Sequence, residues 1–320
     1  MDIRMDTTME GCSFLGVQGA WKLRPGTPLY KIAHSVLLRS FGVDKHAPIF
    51  PGPQPVSIER RHIPKLRQQP YVVCEKTDGV RNAIMCIRYQ DKKYCLVVNR
   101  NLEFVVVGLR FPSTDVILDG EMVKCHDGQW RFMVYDATSA ELVAKKADLN
   151  QRLDAARAVI KKIMKVKGDP FKVGIKEFWP IQKFAEFQLM SFIYETDGLV
   201  MTPVNEPMRI GTHETMFKWK PLRQNTIDFQ VKRRPHNDKW GLYIQEKGML
   251  YLETEWTKDD QIPEQFLQED VIVECMYVPD HKKWWPLKQR EDKNYPNARR
   301  TFWRTMINLR EDIQPQEFHL

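Results

Sequence analysis

The segment Glu75–Arg81 limits the fold of this chain more than any other stretch, because it joins two strands through a tight turn. The apolar run Tyr71–Cys74 precedes it, the run Ala83–Tyr89 follows it, and both patterns predict buried strands. Asp78–Gly79 between them is a typical turn pair. The sequence therefore predicts a strand–turn–strand unit that holds Lys76 at the end of a rigid strand.

Lys76 has Glu75 beside it and the cation Arg81 across the turn. A partly desolvated lysine amine near another positive charge loses its proton more easily and can act as a nucleophile. A lone lysine at a strand end is more often a solvated surface residue. Taken by itself the segment favours the surface residue, and the other motifs of the chain are needed to decide.

Five further motifs follow in order along the chain, at Val116–Glu121, Phe132–Asp136, Thr196–Met201, Met216–Pro221 and Trp285–Lys293. This series resembles the covalent nucleotidyltransferase superfamily of mRNA capping enzymes and ATP-dependent polynucleotide ligases. Within it the chain is most similar to the compact, single-activity RNA guanylyltransferases of large DNA viruses. The segments Pro51–Arg60 and Thr226–Phe229 strengthen that narrower resemblance, which extends over residues 50–310.

An α+β fold with two domains is predicted, a nucleotidyltransferase domain at residues 1–224 and an OB-fold β-barrel domain at residues 225–320. In the first domain, short strands between residues 71 and 136 alternate with turns and predict antiparallel sheet rather than a βαβ repeat. The turns are assigned to Asp78–Gly79, Asp119–Gly120 and Asp127–Gly128.

Three helices are predicted in the first domain. The 3.6-residue period indicates one over 148–165 with Asp148 as its N-cap. Another is predicted over 182–194, and a short one over 32–38. The rest of residues 1–50 is predicted to be irregular, and the proline-rich segment 48–55 to be an extended strap.

The second domain has the strand number of an OB-fold barrel. Its strand patterns lie at residues 226–231, 242–245, 249–253, 271–277 and 284–288, and a closing helix is predicted over 297–310.

Positive charge is concentrated in the first domain. Residues 225–320 contain 15 Lys and Arg against 17 Asp and Glu, whereas residues 1–224 contain 34 against 24. A phosphate-rich substrate requires such an excess, although on so large a segment it also serves solubility.

The six cysteines include no CxxC pair, which is typical of reduced core residues in an intracellular protein. The N-terminus does not have the pattern of a signal peptide, and no apolar run is long enough to span a membrane. We therefore expect the protein in the nucleus or cytoplasm of its host cell.

The resemblance implies that Lys76 attacks the α-phosphorus of GTP, expels pyrophosphate and holds GMP as a phosphoramidate. A P–N bond suits this role because it cleaves readily once its nitrogen is protonated. Carboxylates such as Glu121 and Asp197 suit Mg²⁺ or Mn²⁺, which would neutralise the charge developing on the phosphates.

In the family, an aromatic residue at the position of Phe132 stacks on the base, and residues matching Arg81, Arg100 and Glu121 engage the sugar. Glu75 is assigned to the same nucleotide-binding group. Core packing is the alternative for Phe132. A turn residue is the favoured interpretation of Asp119.

Two lysines are assigned to the α-phosphate. Lys218 and Lys220 alternate with Phe217 and Trp219, which places both lysines on one face of a strand. Two cations converging on one phosphate would stabilise the charge of the transition state.

The resemblance further implies that the second domain closes over the cleft and orients the β- and γ-phosphates through Arg290, Asp292 and Lys293. Family members often have glycine before this arginine, where this chain has Gln289.

The predicted function is an mRNA guanylyltransferase that forms a GpppN cap on 5′-diphosphate RNA, with a separate RNA triphosphatase and cap methyltransferase as partners. One alternative is an ATP-dependent polynucleotide ligase, although ligases usually carry Glu-Gly where this chain has Asp197–Gly198. The other is a nonenzymatic RNA-binding module that uses the OB barrel and the basic face.

Overall fold

The computed structural model describes residues 8–43, 50–110, 115–164, 168–235, 237–291 and 293–319. The chain divides into two compact units. The first comprises Met1–Val56, Pro64–Lys218 and His319–Leu320, and the second comprises Ser57–Ile63 and Trp219–Phe318. Residues 57–63 thus belong to the unit formed mainly by the last third of the chain. The division into 1–224 and 225–320 stays a prediction.

Eighteen strands and five α-helices are formed by the described residues. The strands are β1 Met9–Phe14, β2 Val17–Leu23, β3 Gln54–Ser57, β4 Tyr71–Thr77, β5 Val80–Tyr89, β6 Lys92–Asn99, β7 Phe104–Val107, β8 Ile117–Lys124, β9 Trp130–Thr138, β10 Phe171–Ile175, β11 Trp179–Pro180, β12 Thr196–Pro203, β13 Thr212–Trp219, β14 Thr226–Arg233, β15 Trp240–Glu246, β16 Met249–Trp256, β17 Ile272–Val278 and β18 Lys283–Gln289. The helices are α1 Pro28–Ser40, α2 Ala140–Ala144, α3 Leu149–Ile160, α4 Phe184–Phe187 and α5 Arg299–Glu311.

The largest sheet of the first unit has eight strands in the order β1-β2-β7-β6-β5-β8-β9-β10. All neighbours are antiparallel except β9 and β10, which are parallel. Side chains of α1, such as Ala33, pack with Met85 on one face. On the other face Ala156 of α3 packs with Ile84. The sheet is therefore covered on both sides, because successive strand residues point to opposite faces.

A five-stranded sheet in the order β11-β4-β12-β13-β3 completes the first unit and contains the lysine strand. β4 and β12 are antiparallel, with Lys76 opposite Gly198 and Thr77 opposite Thr196. Asp197 has no partner in this register and forms a β-bulge.

The second unit is built on an antiparallel sheet in the order β16-β15-β14-β17-β18. All five predicted strands and the closing helix are confirmed, and Phe302 of α5 packs in the core with Phe229 and Trp284. β16 and β18 are the edges of the sheet, and no pairing between them is seen in the described residues. The α+β class is confirmed, whereas a closed OB barrel stays a prediction.

Two predictions for the first unit are wrong. Residues 9–23 form the hairpin β1–β2 where irregular chain was predicted. Asp119–Gly120 is not a turn but lies inside β8, which pairs with β5 and β9. Gly120 is needed there because a Cβ atom would lie only 2.6 Å from the Met133 carbonyl oxygen.

The predicted helices are confirmed in part. α1 contains the helix expected at 32–38 and is longer, and α3 begins after Asp148, which forms a capping box with Gln151. The helix expected over 182–194 ends at Phe187. It stops early because the following segment pairs with the β8–β9 turn, where Tyr194 forms a bridge with Cys125.

Two of these predictions fall partly on residues 44–49 and 165–167, which lie outside the described residues. They are the start of the proline-rich strap and the end of the helix at 148–165. Within the described chain, none of the helices has the length and apolar character required to cross a membrane.

Candidate active site

The ε-amine of Lys76 is held at the end of β4 by Asp197. Lys76 Nζ donates to Asp197 Oδ1 at 2.6 Å, and the two side chains are 23% and 13% exposed. The bulge in β12 produces this contact, since it adds a residue opposite the lysine strand and redirects its side chain. Gly198 permits the bulge with a φ of 142°.

Glu121 links the eight-stranded sheet to the lysine strand. Its Oε2 accepts a hydrogen bond of 2.9 Å from Thr77 Oγ1, directly after Lys76 in sequence. Burial raises the pKa of Glu121 above its ordinary value, and the charge of Asp197 adds to this effect, whereas Lys176 and Lys76 oppose it. Two carboxylates and two amines therefore interact electrostatically around the end of β4.

Lys176 is a buried cation beneath this group, and the sequence analysis missed it. The residue is 4% exposed, and its Nζ donates to the Glu75 carbonyl oxygen at 2.8 Å and to Thr77 Oγ1 at 3.1 Å. The Glu75 carboxylate lies 3.6 Å from the same Nζ. It also accepts a hydrogen bond from the Tyr194 hydroxyl. Glu75 is therefore engaged inside the protein, where it fixes Lys176.

Arg81 is held by Asp119 rather than placed against Lys76. Its guanidinium donates to both Asp119 carboxylate oxygens, at 3.1 and 2.6 Å, and to the Pro53 carbonyl oxygen at 2.6 Å. The Asp119 side chain is fully buried, so this ion pair is part of the interior. The carboxylate of Asp197, and not the cation Arg81, is the charged group in direct contact with the amine of Lys76.

Of the two aromatic residues of this motif, Tyr135 lies beside charged side chains and Phe132 lies in the core. Phe132 has no exposed surface and packs in the core with Met122. In the pairing of β8 with β9, Asp119 lies opposite Asp136 and Gly120 opposite Val134, so Tyr135 is an extra, bulged residue. Its ring centroid lies 5.8 Å from the Arg81 guanidinium carbon and 5.7 Å from Lys176 Nζ.

Three other predicted residues lie on neighbouring elements. Arg100 is exposed in the turn that follows β6. Lys218 is half-buried on β13 at the limit of the first unit, after Phe217, whose buried ring stacks on Tyr71 at 6.0 Å. Lys220 follows the end of β13 and belongs to the second unit.

The second unit contains the remaining predicted cations. The Arg290 guanidinium lies 3.1 Å from Asp228 Oδ1 and 3.4 Å from Glu274 Oε2, and Lys293 forms an ion pair with the same Asp228. Asp292 lies outside the described residues. Asp228 is buried and was recognised in sequence only as part of a motif, so its role as the partner of these cations is new.

The donor set around Lys76 fits a hard divalent cation. Within the described residues no three His, Cys, Asp or Glu side chains are grouped to hold a metal by themselves. Asp197 and Glu121 supply carboxylate oxygens that contact the successive residues Lys76 and Thr77 at the end of the lysine strand. Mg²⁺ is commonly bound through one or two carboxylates together with substrate phosphates, which matches this arrangement.

Two family models match almost the whole chain. The model described as mRNA capping enzyme, catalytic domain, matches residues 30–222, and the model described as mRNA capping enzyme, C-terminal domain, matches residues 223–319.

Curated relatives have the same description. The mRNA-capping enzyme subunit alpha of Yarrowia lipolytica is 29% identical over 301 residues, which cover 78% of this chain and 75% of that protein. The mRNA-capping enzyme of Danio rerio is 32% identical over 283 residues, covering 78% of this chain but only 45% of that protein. The chain thus spans less than half of the vertebrate relative.

Among solved structures, a mycobacterial DNA ligase D complexed with ATP and MES is 11% identical with a TM-score of 0.43. The match covers 76% of this chain and 95% of that one, and it is a distant likeness. The closer resemblance to viral enzymes stays a prediction.

Proposed function

This chain belongs to the mRNA capping enzyme family, and we propose that it is an mRNA guanylyltransferase in which GMP passes through a covalent bond to Lys76. The observation that supports this assignment most directly is the placement of the Lys76 amine at the end of β4, 2.6 Å from Asp197. Thr77 is the next residue of the strand. Its hydroxyl donates a hydrogen bond to the Glu121 carboxylate and accepts one from the buried cation Lys176.

In the first step the deprotonated amine of Lys76 attacks the α-phosphorus of GTP. The N–P bond forms while the bond to the pyrophosphate oxygen breaks, and pyrophosphate leaves. Asp197 orients the amine before attack through its hydrogen bond. Glu121 and Asp197 would hold Mg²⁺ or Mn²⁺, which when bound supplies charge neutralisation at the phosphates.

Tyr135 takes the base-stacking role that the sequence assigned to Phe132. Its ring lies beside Arg81 and Lys176, whereas Phe132 is enclosed in the core. A base stacked on Tyr135 would lie near Lys176 Nζ, a hydrogen-bond donor that suits the carbonyl oxygen of guanine better than the amino group of adenine. Arg81 and Arg100 engage the sugar.

Lys218 and Lys220 bind the α-phosphate, and Arg290, Asp292 and Lys293 of the second unit orient the leaving pyrophosphate. In the second step a 5′-diphosphate RNA end replaces lysine at the phosphorus, which forms the GpppN cap and frees Lys76. Removal of the γ-phosphate from the RNA and methylation of the cap require separate enzymes. We expect a protein with this activity in the nucleus or cytoplasm.

The decisive experiment incubates the protein with Mg²⁺ or Mn²⁺ and either α-labelled GTP or α-labelled ATP, followed by a denaturing gel. We expect an acid-labile, base-stable label from GTP only, which disappears in Lys76→Ala. Lys145→Ala is the matched control because Lys145 is an exposed lysine of the same unit.

Two results would contradict the proposal. Label from ATP would assign the protein to the ligases. The absence of label from both nucleotides would leave a nonenzymatic RNA-binding module.

A further inference from the structure

The buried face of α3 contains a charged residue. Arg152 is 3% exposed, and its neighbours on this face are apolar. Burying a charged group is costly unless it is paired and hydrogen-bonded. A guanidinium at this position therefore requires a partner of opposite charge. The buried residues of α3 are Leu149, Arg152, Leu153, Ala156 and Val159.

The partner of Arg152 is Asp136, near the end of β9. Arg152 Nε donates to Asp136 Oδ1 at 2.8 Å, and Nη2 donates to Oδ2 at 3.2 Å. Nη1 donates to the carbonyl oxygens of Ala147 and Glu206, at 2.8 and 3.1 Å. Both side chains of the ion pair are 4% exposed. Such a bidentate contact fixes the orientation of the carboxylate and neutralises its charge.

Asp136 lies beside residues of the candidate site. It directly follows the bulged residue Tyr135 and lies opposite Asp119 in the register of β8 and β9. Burial raises the pKa of Asp119, Arg81 opposes this effect, and the charge of Asp136 adds to it. Tyr135 hydrogen-bonds to the Asp119 carboxylate. Two buried carboxylates are thus neighbours, one neutralised by Arg81 and the other by Arg152.

Stability alone does not require the second ion pair. Replacing both members of a buried ion pair by apolar residues of similar volume often leaves the free energy of unfolding unchanged or raises it. Removing one member has a different effect, because it leaves the other charge uncompensated. Without Arg152, the Asp136 carboxylate would compete with Asp119 for the guanidinium of Arg81.

We propose that Arg152 is a positioning residue for the nucleotide. It neutralises Asp136, so that Arg81 stays paired with Asp119 and the ring of Tyr135 keeps its place at the bulge. This inference rests on the proposed function, in which Arg81 engages the sugar and Tyr135 stacks on the base. Arg152 uses its own donors inside the protein and acts on the nucleotide through these neighbours.

The test compares Arg152→Met, which leaves Asp136 charged, with the double variant Arg152→Met/Asp136→Asn, which removes both charges. Arg157→Met is the matched control, because Arg157 lies on the same helix and forms an exposed ion pair with Asp154. For each variant the dissociation constant for GTP and the free energy of unfolding in urea are measured. The rate of Lys76 labelling is followed over a range of GTP concentrations.

Arg152→Met should bind GTP roughly tenfold more weakly, a typical effect for residues coupled in one ion-pair network. The GTP concentration that gives half-maximal labelling should rise by a similar factor. The maximal rate should change less, because Lys76 and Asp197 lie on β4 and β12. Arg157→Met should behave as the wild type does in all three measurements.

The double variant should regain GTP affinity to within roughly threefold of the wild type, since no uncompensated carboxylate then competes for Arg81. Its free energy of unfolding should remain below that of the wild type, because the hydrogen bonds to Ala147 and Glu206 are still lost. A residue with a purely structural role would not recover affinity without recovering stability.

Unchanged GTP affinity in Arg152→Met would overturn the proposal, and so would equal losses of affinity in the single and the double variant. If Arg152→Met does not fold, the double variant decides alone. Affinity near that of the wild type then supports the proposal, and a loss of roughly tenfold or more overturns it. A wild type that binds GTP without labelling of Lys76 would contradict the proposed function, whereas the binding comparison would still test Arg152.

Discussion

At the level of single residues, Tyr135 has the most unusual environment in the site. The Arg81 guanidinium carbon and Lys176 Nζ each lie within 6 Å of its ring centroid. Cations near an aromatic face are attracted to its quadrupole, so the ring is held without packing into the core. A ring held in this way can serve as a rigid platform for a base.

We predict that Tyr135→Ala weakens GTP binding by roughly ten- to a hundredfold, because stacking of a base on an aromatic ring contributes about 1–3 kcal/mol. Tyr135→Phe should retain most of the affinity, since the ring is kept. The dissociation constant for GTP is to be measured by equilibrium binding.

Phe132→Ala provides the contrasting variant. It should lower the free energy of unfolding by about 3–5 kcal/mol because it removes a buried core ring. The folded fraction of this variant should bind GTP with the affinity of the wild type. If Phe132→Leu lost GTP binding and Tyr135→Ala kept it, the assignment of the two rings would be reversed.

His213 makes the stability of the first unit depend on pH. This residue of β13 is 2% exposed, and burial lowers its pKa from the ordinary value of 6.5. A histidine with a lowered pKa contributes stability that is present above pH 6.5 and is lost as the pH falls through its folded pKa. The unfolded chain binds the additional proton.

We therefore predict that the free energy of unfolding of the wild type decreases from pH 7 to pH 5 more steeply than that of His213→Gln. Urea unfolding at several pH values measures both slopes. Parallel slopes would show that other groups cause the dependence. His34→Gln is the control, because His34 on α1 is only partly buried.

The sequence identified many of the residues around the lysine but not all of their contacts. Lys76, Asp197 and Glu121 are brought together as expected, and their roles stay predictions. Lys176 could not be found, because no local pattern distinguishes it and its partner Glu75 lies 101 positions earlier. The sequence feature that could have drawn attention to Lys176 is its position directly after strand β10.

At the level of secondary-structure elements, two β-bulges form the site. One adds Asp197 to β12 and the other adds Tyr135 to β9. Each inserts a residue into a ladder whose side chains otherwise alternate between faces. Both inserted side chains belong to the group around Lys76, which agrees with the frequent occurrence of bulges beside active sites.

These bulges explain why the sequence did not single out Tyr135. A period of two assigns strand residues to two faces but does not say which face borders the cleft. Phe132 and Tyr135 are an odd number of positions apart, and the bulge further changes the alternation. By contrast, the strands of the second unit were predictable as elements, because their apolar patterns locate them without any need to know which face borders a cleft.

We predict that Gly198→Ala destabilises the first unit by about 1–3 kcal/mol and slows labelling of Lys76, because a φ of 142° is strained for any residue with a Cβ. The displaced bulge would move Asp197 away from the amine. Urea unfolding and the initial rate of labelling are the measurements.

Gly11→Ala is the matched control for this variant. Gly11 also lies in a strand, yet a Cβ there meets nothing within 4 Å and its φ is not positive. It should leave both stability and labelling nearly unchanged. Normal labelling in Gly198→Ala would show that the bulge is dispensable for the chemistry.

At the level of the whole molecule, the proposed reaction assigns different steps to the two units. Lys76 and its neighbours lie in the first unit, whereas Arg290 and Lys293 lie in the second and pair with Asp228. Pyrophosphate leaves in the first step only. Under the proposed function, we therefore expect the cations of the second unit to act in labelling and not in transfer to RNA.

We predict that Arg290→Ala slows formation of the Lys76–GMP adduct by roughly a hundredfold, the usual effect of removing one donor that stabilises developing charge. Transfer of GMP from preformed adduct to 5′-diphosphate RNA should be spared. Single-turnover assays of each step separate the two rates. Arg310→Ala, an exposed arginine of α5, is the control, and equal loss in both steps would contradict this division.

The segment Ser57–Ile63 has a consequence for how this protein can be divided. Asn308 of α5 donates to the Ile58 carbonyl oxygen, and Arg60 donates its backbone N–H to Glu311, so this early segment is fastened to the last helix. A fragment cut at residue 224 would keep Ile58, which is 1% exposed in the intact chain, but lose its cover. A single cut in the chain therefore cannot separate the two units, because the second unit draws residues from both sides of residues 64–218.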